Sequence, residues 1–223
     1  MPDKNILTQS DIEQEIRLAY LEGREINFRG KVLSSFSFQK KIIERNIDLG
    51  MAIILGPLYL EGAIIKGDLN LKEAIIRESF YFGDGILKGN LNMEEARTNG
   101  VVNLVGAQIE GDLNFKKINI SGFLSLAKTK IKGDVNLQDS KINDAYHAGL
   151  IVKGDVYLRQ AVISGNFNFE NSFIEGSLDM MGATVGRDVD LKDSHIKENL
   201  IVKEVNIKNN LTLENCEYQQ MIK

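Results

Sequence analysis

Four aspartates follow a glycine at one position of a repeated pattern: Asp68, Asp112, Asp134 and Asp155, with Asn90 at the same position between the first two. Stacked carboxylates could bind a row of cations, or form an acidic stripe that imitates the phosphate backbone of a nucleic acid. Gly-Asp is also typical turn chemistry, in which the aspartate side chain accepts hydrogen bonds from backbone amides. Charges ~4.8 Å apart repel by roughly 0.9 kcal/mol in water, which an adjacent column of lysines can offset. We favour the turn interpretation, because aspartate is generally enriched in turns.

Other residues that could do chemistry are few and scattered. His147 and His195 are the only histidines, and neither has a second candidate ligand at metal-binding spacing. Cys216 is the only cysteine, so the chain cannot form an internal disulfide, and no cysteine–histidine pair suggests nucleophilic catalysis. The sequence has no zinc spacing, phosphate-binding glycine loop or nucleophile elbow. It therefore predicts a protein that is not an enzyme, with no catalytic residues, no cofactor and no metal site.

The aspartates belong to a repeat that runs through most of the chain. Lys-Gly-Asp-Leu-Asn at 66–70 returns in variants that start at residues 88, 110, 132, 153 and 175. A fixed period of about 22 residues predicts a solenoid. The Lys/Glu-Gly-Asp turn recurs once in every full period and not in each half of it, so we expect one coil to hold one full period.

Each period also divides into two units of about 11 residues, and both units predict short strands. In the unit Leu69, Leu71, Ala74 and Ile76, apolar residues alternate with polar ones, as in a strand with one buried face. Two strands per unit give four per coil. We therefore predict an all-β, four-sided parallel β-helix of about nine coils, each of about 22 residues. At ~4.8 Å per coil it would be on the order of 40 Å long.

The inward pairs of this repeat are a small residue followed, two positions later, by a large aliphatic one. Examples are Ala63 with Ile65, Ala107 with Ile109, and Ala161 with Ile163. In this respect residues 26–218 resemble the pentapeptide-repeat proteins. The resemblance implies a right-handed quadrilateral β-helix. The chain departs from that family because every second face reads Leu-x-Leu and each half-coil has one extra residue.

The two ends of the solenoid are predicted to differ. Thr8 and Ser10 are candidate N-caps of a helix that places Ile12, Ile16, Ala19 and Tyr20 on one side. We expect residues 1–25 to form a segment with a short capping helix, residues 26–218 the solenoid, and residues 219–223 a tail.

Apolar residues in register reach the C-terminal end, and they make it a candidate for self-association: Leu211, Leu213, Tyr218 and Met221. Either the tail folds over the last coil, or this end meets another molecule. A head-to-head pair would stop at a homodimer, whereas head-to-tail stacking would form filaments.

One unit is irregular, because the stretch from Tyr146 to Asp155 is one residue shorter than its neighbours. We expect the missing residue to pinch one corner of the rod. The irregularity is either harmless drift in the repeat or a recognition point at Tyr146 and His147.

Composition argues against several classes of partner. The net charge of −4 and the scattered basic residues disfavour nucleic-acid binding. The first residues carry no apolar leader, and the longest apolar stretch is broken by glycine and proline, so we expect a soluble cytoplasmic protein with no membrane association. The prediction for function is a protein–protein interaction or scaffold module with an unknown partner. The alternatives are a DNA-mimicking topoisomerase-binding protein, a role that some pentapeptide-repeat proteins have, and a self-assembling structural protein.

Overall fold

The computed structural model describes residues 6–143, 145–147, 150–152 and 154–223, with side chains for all but 145–147 and 150–152. It is an all-β solenoid of about nine coils, in which parallel strands stack into four sheets. This confirms the predicted four-sided parallel architecture. Successive coils pair at the period of the sequence repeat, for example Leu69 with Leu91. Along the chain the coil passes faces 1, 2, 3 and 4 in turn.

The strands of the four faces have the following bounds. Face 1 contains Ile6–Leu7, Val32–Leu33, Ile53–Ile54, Ile75–Ile76, Arg97–Thr98, Asn119–Ser121, Lys141–Asn143, Phe173–Ile174 and His195–Ile196. Face 2 contains Phe36–Ser37, Leu58–Tyr59, Phe80–Tyr81, Val102–Asn103, Leu124–Ser125, Val156–Tyr157, Leu178–Asp179, Asn199–Ile201 and Gln220–Ile222. Face 3 contains Ile42–Ile43, Ile64–Ile65, Ile86–Leu87, Gln108–Ile109, Lys130–Ile131, Val162–Ile163, Thr184–Val185 and Asn206–Ile207. Face 4 contains Ile26–Asn27, Ile47–Asp48, Leu69–Asn70, Leu91–Asn92, Leu113–Asn114, Val135–Asn136, Phe167–Asn168, Val189–Asp190 and Leu211–Thr212.

The core is a column of side chains inside the coils. Leu69, Leu71, Ala74 and Ile76 are all fully buried, as the alternation in the sequence predicts. The small residue lies next to a tight turn, in which the preceding residue takes a left-handed conformation, as at Glu73 with φ 58°. The inward pattern therefore follows from strands of two residues that are joined by sharp corners.

A helix, Gln9–Leu21, covers the N-terminal end of the column. Thr8 is its N-cap: the Thr8 hydroxyl accepts from the backbone N–H of Asp11, and the Asp11 carboxylate accepts from the backbone N–H of Thr8. Ile12, Ile16 and Ala19 are buried against the first coil. The predicted capping helix is thus confirmed. A strand that the sequence did not predict, Ile6–Leu7, also pairs with Val32–Leu33.

The irregular unit does not pinch the rod, so that expectation is wrong. Val156 pairs with Leu124 across 32 residues, ten more than in a regular coil. The extra residues protrude from the corner between faces 1 and 2 and form an antiparallel hairpin, in which Ala145–His147 pairs with Leu150–Val152. Extrusion of the short half-coil lets the next coil pair in the ordinary register.

Because one half-coil is extruded, each class of turn lies at the diagonally opposite corner of the rod in the rest of the chain. Before the hairpin, Lys66 and Lys132 precede the corner between faces 3 and 4. After it, Glu175 and Lys197, which belong to the same class in the sequence, precede the corner between faces 1 and 2. The sequence repeat therefore continues through the irregularity, but its chemistry moves half a turn around the rod.

The last residues are not a separate tail, which corrects the predicted boundary at 218. Gln220–Ile222 pairs in parallel with Asn199–Ile201 and extends the sheet of face 2. Backbone hydrogen bonds continue the sheet here, although residues 219–223 show little of the apolar pattern of the repeat.

Candidate functional site

Asp68, Asp112 and Asp134 do stack at one corner, between faces 3 and 4. Each uses Oδ1 to accept the backbone N–H of the corner residue in the next coil: Asn90 at 2.7 Å, Asp134 at 2.9 Å and Asn166 at 2.7 Å. Asn46 and Asn90 do the same within this column. The aspartates thus join one coil to the next. They accept from backbone amides at a corner, as in the turn interpretation, but the amide belongs to the next coil and not to the aspartate's own turn.

The glycine before each corner residue is explained by the same contact. A Cβ added to Gly89 would lie 2.2 Å from Asp68 Oδ1, and one added to Gly133 would lie 2.0 Å from Asp112 Oδ1. Real Cβ atoms do not approach an oxygen so closely. The Gly-Asp pair is therefore a structural unit, in which the carboxylate of one coil takes the space that a side chain would need in the next.

Asp155 does not belong to that column, which corrects the prediction of one row of four. It lies at the corner between faces 1 and 2, diagonally across the rod, because the hairpin precedes it. Asp155 is 8% exposed, and it accepts the Ser177 N–H at 2.6 Å and the Tyr157 hydroxyl at 2.7 Å. Burial, together with the hydrogen bond to Asp155, raises the pKa of Tyr157 to about 12.

Tyr146 and His147, the other candidates for the interaction surface, lie on the first strand of the hairpin. Their side chains are outside the part of the chain that the structure describes. The hairpin leaves at the corner of Asp155 and not at the corner of Asp68, Asp112 and Asp134. The structure therefore does not bring the six predicted residues together into one surface.

The outward asparagines have a local role. In six of them the side-chain Oδ1 accepts the backbone N–H two residues later, at 2.9 to 3.1 Å: Asn70, Asn92, Asn103, Asn114, Asn136 and Asn168. This bond is an Asx turn, which explains why a residue that is depleted in strands recurs here. Bonding from coil to coil is also present where Asn70 Nδ2 donates to Asp48 Oδ1 at 2.9 Å.

Columns on the outside of the rod contain charges of both signs. Glu110 pairs with Lys88 at 2.6 Å and with Lys132 at 3.5 Å. The hydrogen bond from Lys88 is the main reason that the pKa of Glu110 is lowered. A second ladder pairs Lys117 with Glu95 at 3.2 Å. These surface pairs are weak individually. Along these two ladders, neither positive nor negative charge forms a continuous stripe.

One charged pair could not have been recognised from the sequence. Asp179 occupies an outward position on face 2 and is only 1% exposed. Arg159, in the preceding coil, pairs with the Asp179 carboxylate. Asp179 also accepts the Met181 N–H at 3.0 Å. The carboxylate is thus satisfied within the protein. Asp179 stands at the position of the recurring asparagines and makes the same turn, but nothing in the repeat marks Arg159 as its partner.

The histidine and the cysteine of the last coils also have partners within the protein. His195 Nδ1 lies 2.6 Å from Glu217 Oε2, and the ring stacks on Phe173. Cys216 Sγ lies 3.3 Å from Ser194 Oγ, and burial raises the pKa of the thiol. Within the described residues, no three metal-ligating side chains of His, Cys, Asp or Glu cluster together.

The C-terminal end is an apolar surface that the described residues leave open. Leu213, Tyr218 and Met221 pack on the core but are only partly buried, and Leu211 is 38% exposed. Together with Val202, Val205 and Ile207 they line a shallow cavity at the end of the rod. The structure thus does place the four predicted residues of this end in one surface, which we call the open end.

The fold and its corners define the class: this is a four-sided parallel β-solenoid with a helix over its first coil. No family model, curated protein or solved structure matches the chain. In the part of the chain that the structure describes, no helix has the length and apolar content to cross a membrane.

Proposed function

We propose that this protein is a non-enzymatic protein-binding rod of the pentapeptide-repeat type, right-handed like that family, and that it engages its partner through the open end. The observation that carries the proposal is the half-buried row of Leu213, Tyr218 and Met221 at that end. In every inner coil the equivalent residues are fully buried, as at Leu71 and Leu191. A partner that covers the open end would bury apolar area, which favours association.

The rod itself supports this role. Each coil is hydrogen-bonded to the next on all four faces and at its corners, so the end is held on a stiff support. Binding surfaces on rigid elements lose less conformational entropy when a partner docks. The partner's complementary surface should be apolar at its centre and offer a strand edge, because the last strands of the rod end there.

The two alternatives are less well supported. A DNA mimic requires exposed faces that are strongly acidic, whereas Glu110 and Glu95 are paired with lysines along the rod. A filament that grows by head-to-tail stacking requires two open ends, whereas helix Gln9–Leu21 lies on the first coil. A homodimer through the C-terminal coil is compatible with one covered end and one open end.

The test is capture of bound protein from cells that make this protein, with three variants compared. We expect Leu213→Asp to abolish the captured complex. Ile42→Asp on the side of the rod, where Ile42 is 59% exposed, should retain it, and so should Leu21→Asp on the covered end. If Leu213→Asp binds as the wild type does, or if Ile42→Asp loses the complex, the open end is not the binding surface. Circular dichroism shows whether each variant keeps the wild-type fold.

A further inference from the structure

We infer that the partner at the open end is a second copy of this chain, joined head to head about a two-fold axis through the corner between faces 4 and 1. This inference rests on the proposed use of the open end in protein binding. It goes further because it names the partner and the strands that meet. Three features of the open end lead to it: its strand edges, its spiral step and its charges.

The strand edges come first. Gln220–Ile222 is the last strand of face 2, Asn206–Ile207 of face 3 and Leu211–Thr212 of face 4, while Glu217 forms a single bridge to His195 on face 1. Within the described residues each of these segments pairs only with the coil before it. Unpaired edges favour pairing with another chain. A two-fold axis perpendicular to the rod reverses the direction of the coil, so all four edges would meet antiparallel partners.

The spiral step decides where the axis lies. A solenoid ends in a step, because each face lies slightly further along the rod than the face before it. Here face 3 is lowest and face 2 is highest, so the step is at the corner between them. If the axis passed through the middle of face 2, the two copies of Gln220–Ile222 would collide while the other faces stood apart.

An axis through the corners removes that conflict. Gln220–Ile222 then lies above Asn206–Ile207 of the second copy, and the low face of each copy receives the high face of the other. Face 4 likewise receives face 1. All four joints have the same separation of about 4.8 Å, the ordinary spacing of paired strands. The two steps therefore fit together without a gap.

The charges around the open end suit a copy of itself. The charged residues of the last coil comprise three basic and three acidic side chains: Lys203, Glu204, Lys208, Glu214, Glu217 and Lys223. An isologous interface must be complementary to itself, so a surface with one sign of charge would repel its copy. Asn215, at the corner on the axis, donates to Asp193 in the coil before it at 2.8 Å. In the dimer each Asn215 would face the other Asn215, which is uncharged.

Disulfide trapping tests this arrangement. In a Cys216→Ser background, Asn215→Cys places a thiol on the axis, within the Cα separation that a disulfide allows. We expect Asn215→Cys to form a covalent dimer under mild oxidation at the concentration where the wild type has twice the monomer mass. Asn171→Cys is the matched control, because Asn171 has the same left-handed conformation at the same corner, two coils earlier. It should stay monomeric on a denaturing gel.

Three outcomes would overturn the inference. A covalent dimer from Met221→Cys and not from Asn215→Cys would place the axis on face 2. Equal trapping of Asn171→Cys and Asn215→Cys would mean random collision. A wild-type protein that stays monomeric while Leu213→Asp still loses a different captured protein would overturn this inference and leave the proposed function standing.

Discussion

The first and last coils are built from the same repeat, yet they end the rod in different ways. At the first coil a helix buries Ile12, Ile16 and Ala19 against the column of core residues. At the last coil Leu213 and Tyr218 occupy equivalent inward positions and remain partly exposed. A solenoid can pair its inner coils with each other, but each terminal coil needs something else. We therefore propose that this difference between the ends marks the surface that a partner covers.

The largest expected effect comes from the same substitution placed in an inner coil and in the last coil. Leu71 is fully buried in the column of inward residues that ends at Leu213. Leu71→Asp would bury an unpaired charge, and we expect the free energy of unfolding to fall by about 4 kcal/mol or more. Leu213→Asp should keep the fold and lose association. Urea denaturation and light scattering measure the two effects. Equal destabilisation by both would mean that the last coil is as enclosed as the inner ones.

The cap can be broken as well. Ile12→Asp combined with Ile16→Asp should detach the helix from the first coil and open the second end. We then expect mass that grows with concentration, because both ends would offer strand edges. Glu13→Gln combined with Arg17→Gln, on the exposed side of the same helix, is the control and should behave as the wild type. Light scattering over a concentration series decides. If the uncapped variant shows no growth in mass, the helix is not what prevents stacking.

The corner hydrogen bonds that join inner coils can be tested in the same way. Gly89→Ala would bring Cβ to 2.2 Å from Asp68 Oδ1, and we expect the free energy of unfolding to fall by about 1–3 kcal/mol. Gly83→Ala is the control at a corner where the nearest atom is 3.4 Å away, and its effect should be within about 0.5 kcal/mol. The two midpoints of urea denaturation measure this. Equal effects would contradict the close approach of Asp68.

The smallest effect concerns the helix cap. Thr8→Ala should reduce the free energy of unfolding by about 1 kcal/mol, because the hydroxyl no longer satisfies the first turn. Ser10→Ala, inside the helix, is the control and should change little.

The cap also gives a pH dependence. Hydrogen bonds from Thr8 lower the pKa of Asp11 below its ordinary value of 3.8. Stability from this contact is therefore complete above that value and is lost as the pH falls through the lowered pKa of the folded state. In Thr8→Ala we expect acidification to cause a smaller loss of stability than in the wild type. An unchanged profile between pH 5 and pH 2 would contradict the contact.

Much of the fold could be predicted because the period, the inward alternation and the N-cap are local patterns. The spacing of Leu69, Leu91 and Leu113 is itself the register of the sheet on face 4. The recurring Gly-Asp also indicated that Asp68 accepts from backbone amides, but not that the amide lies in the next coil. A repeat whose partners are the same residue one period later carries its tertiary structure in its spacing.

The hairpin and its consequences could not be predicted in the same way. A unit that is one residue short can either tighten the coil or leave it, and the choice depends on the long-range pairing of Leu124 with Val156. That choice also placed Asp155 at a different corner from the other aspartates, so the predicted column of four aspartates was wrong. The pairing of Gln220–Ile222 was missed because the face on which a short segment pairs is set by the coil beneath it.

The central claim is that one covered end and one open end make a closed dimer. Light scattering of the wild-type protein over a wide concentration range tests it most directly. The account predicts a mass that rises from one chain to two and then stays constant, and Leu213→Asp that remains at one chain. A wild-type mass that stays at one chain, or that continues to rise beyond two, would contradict it.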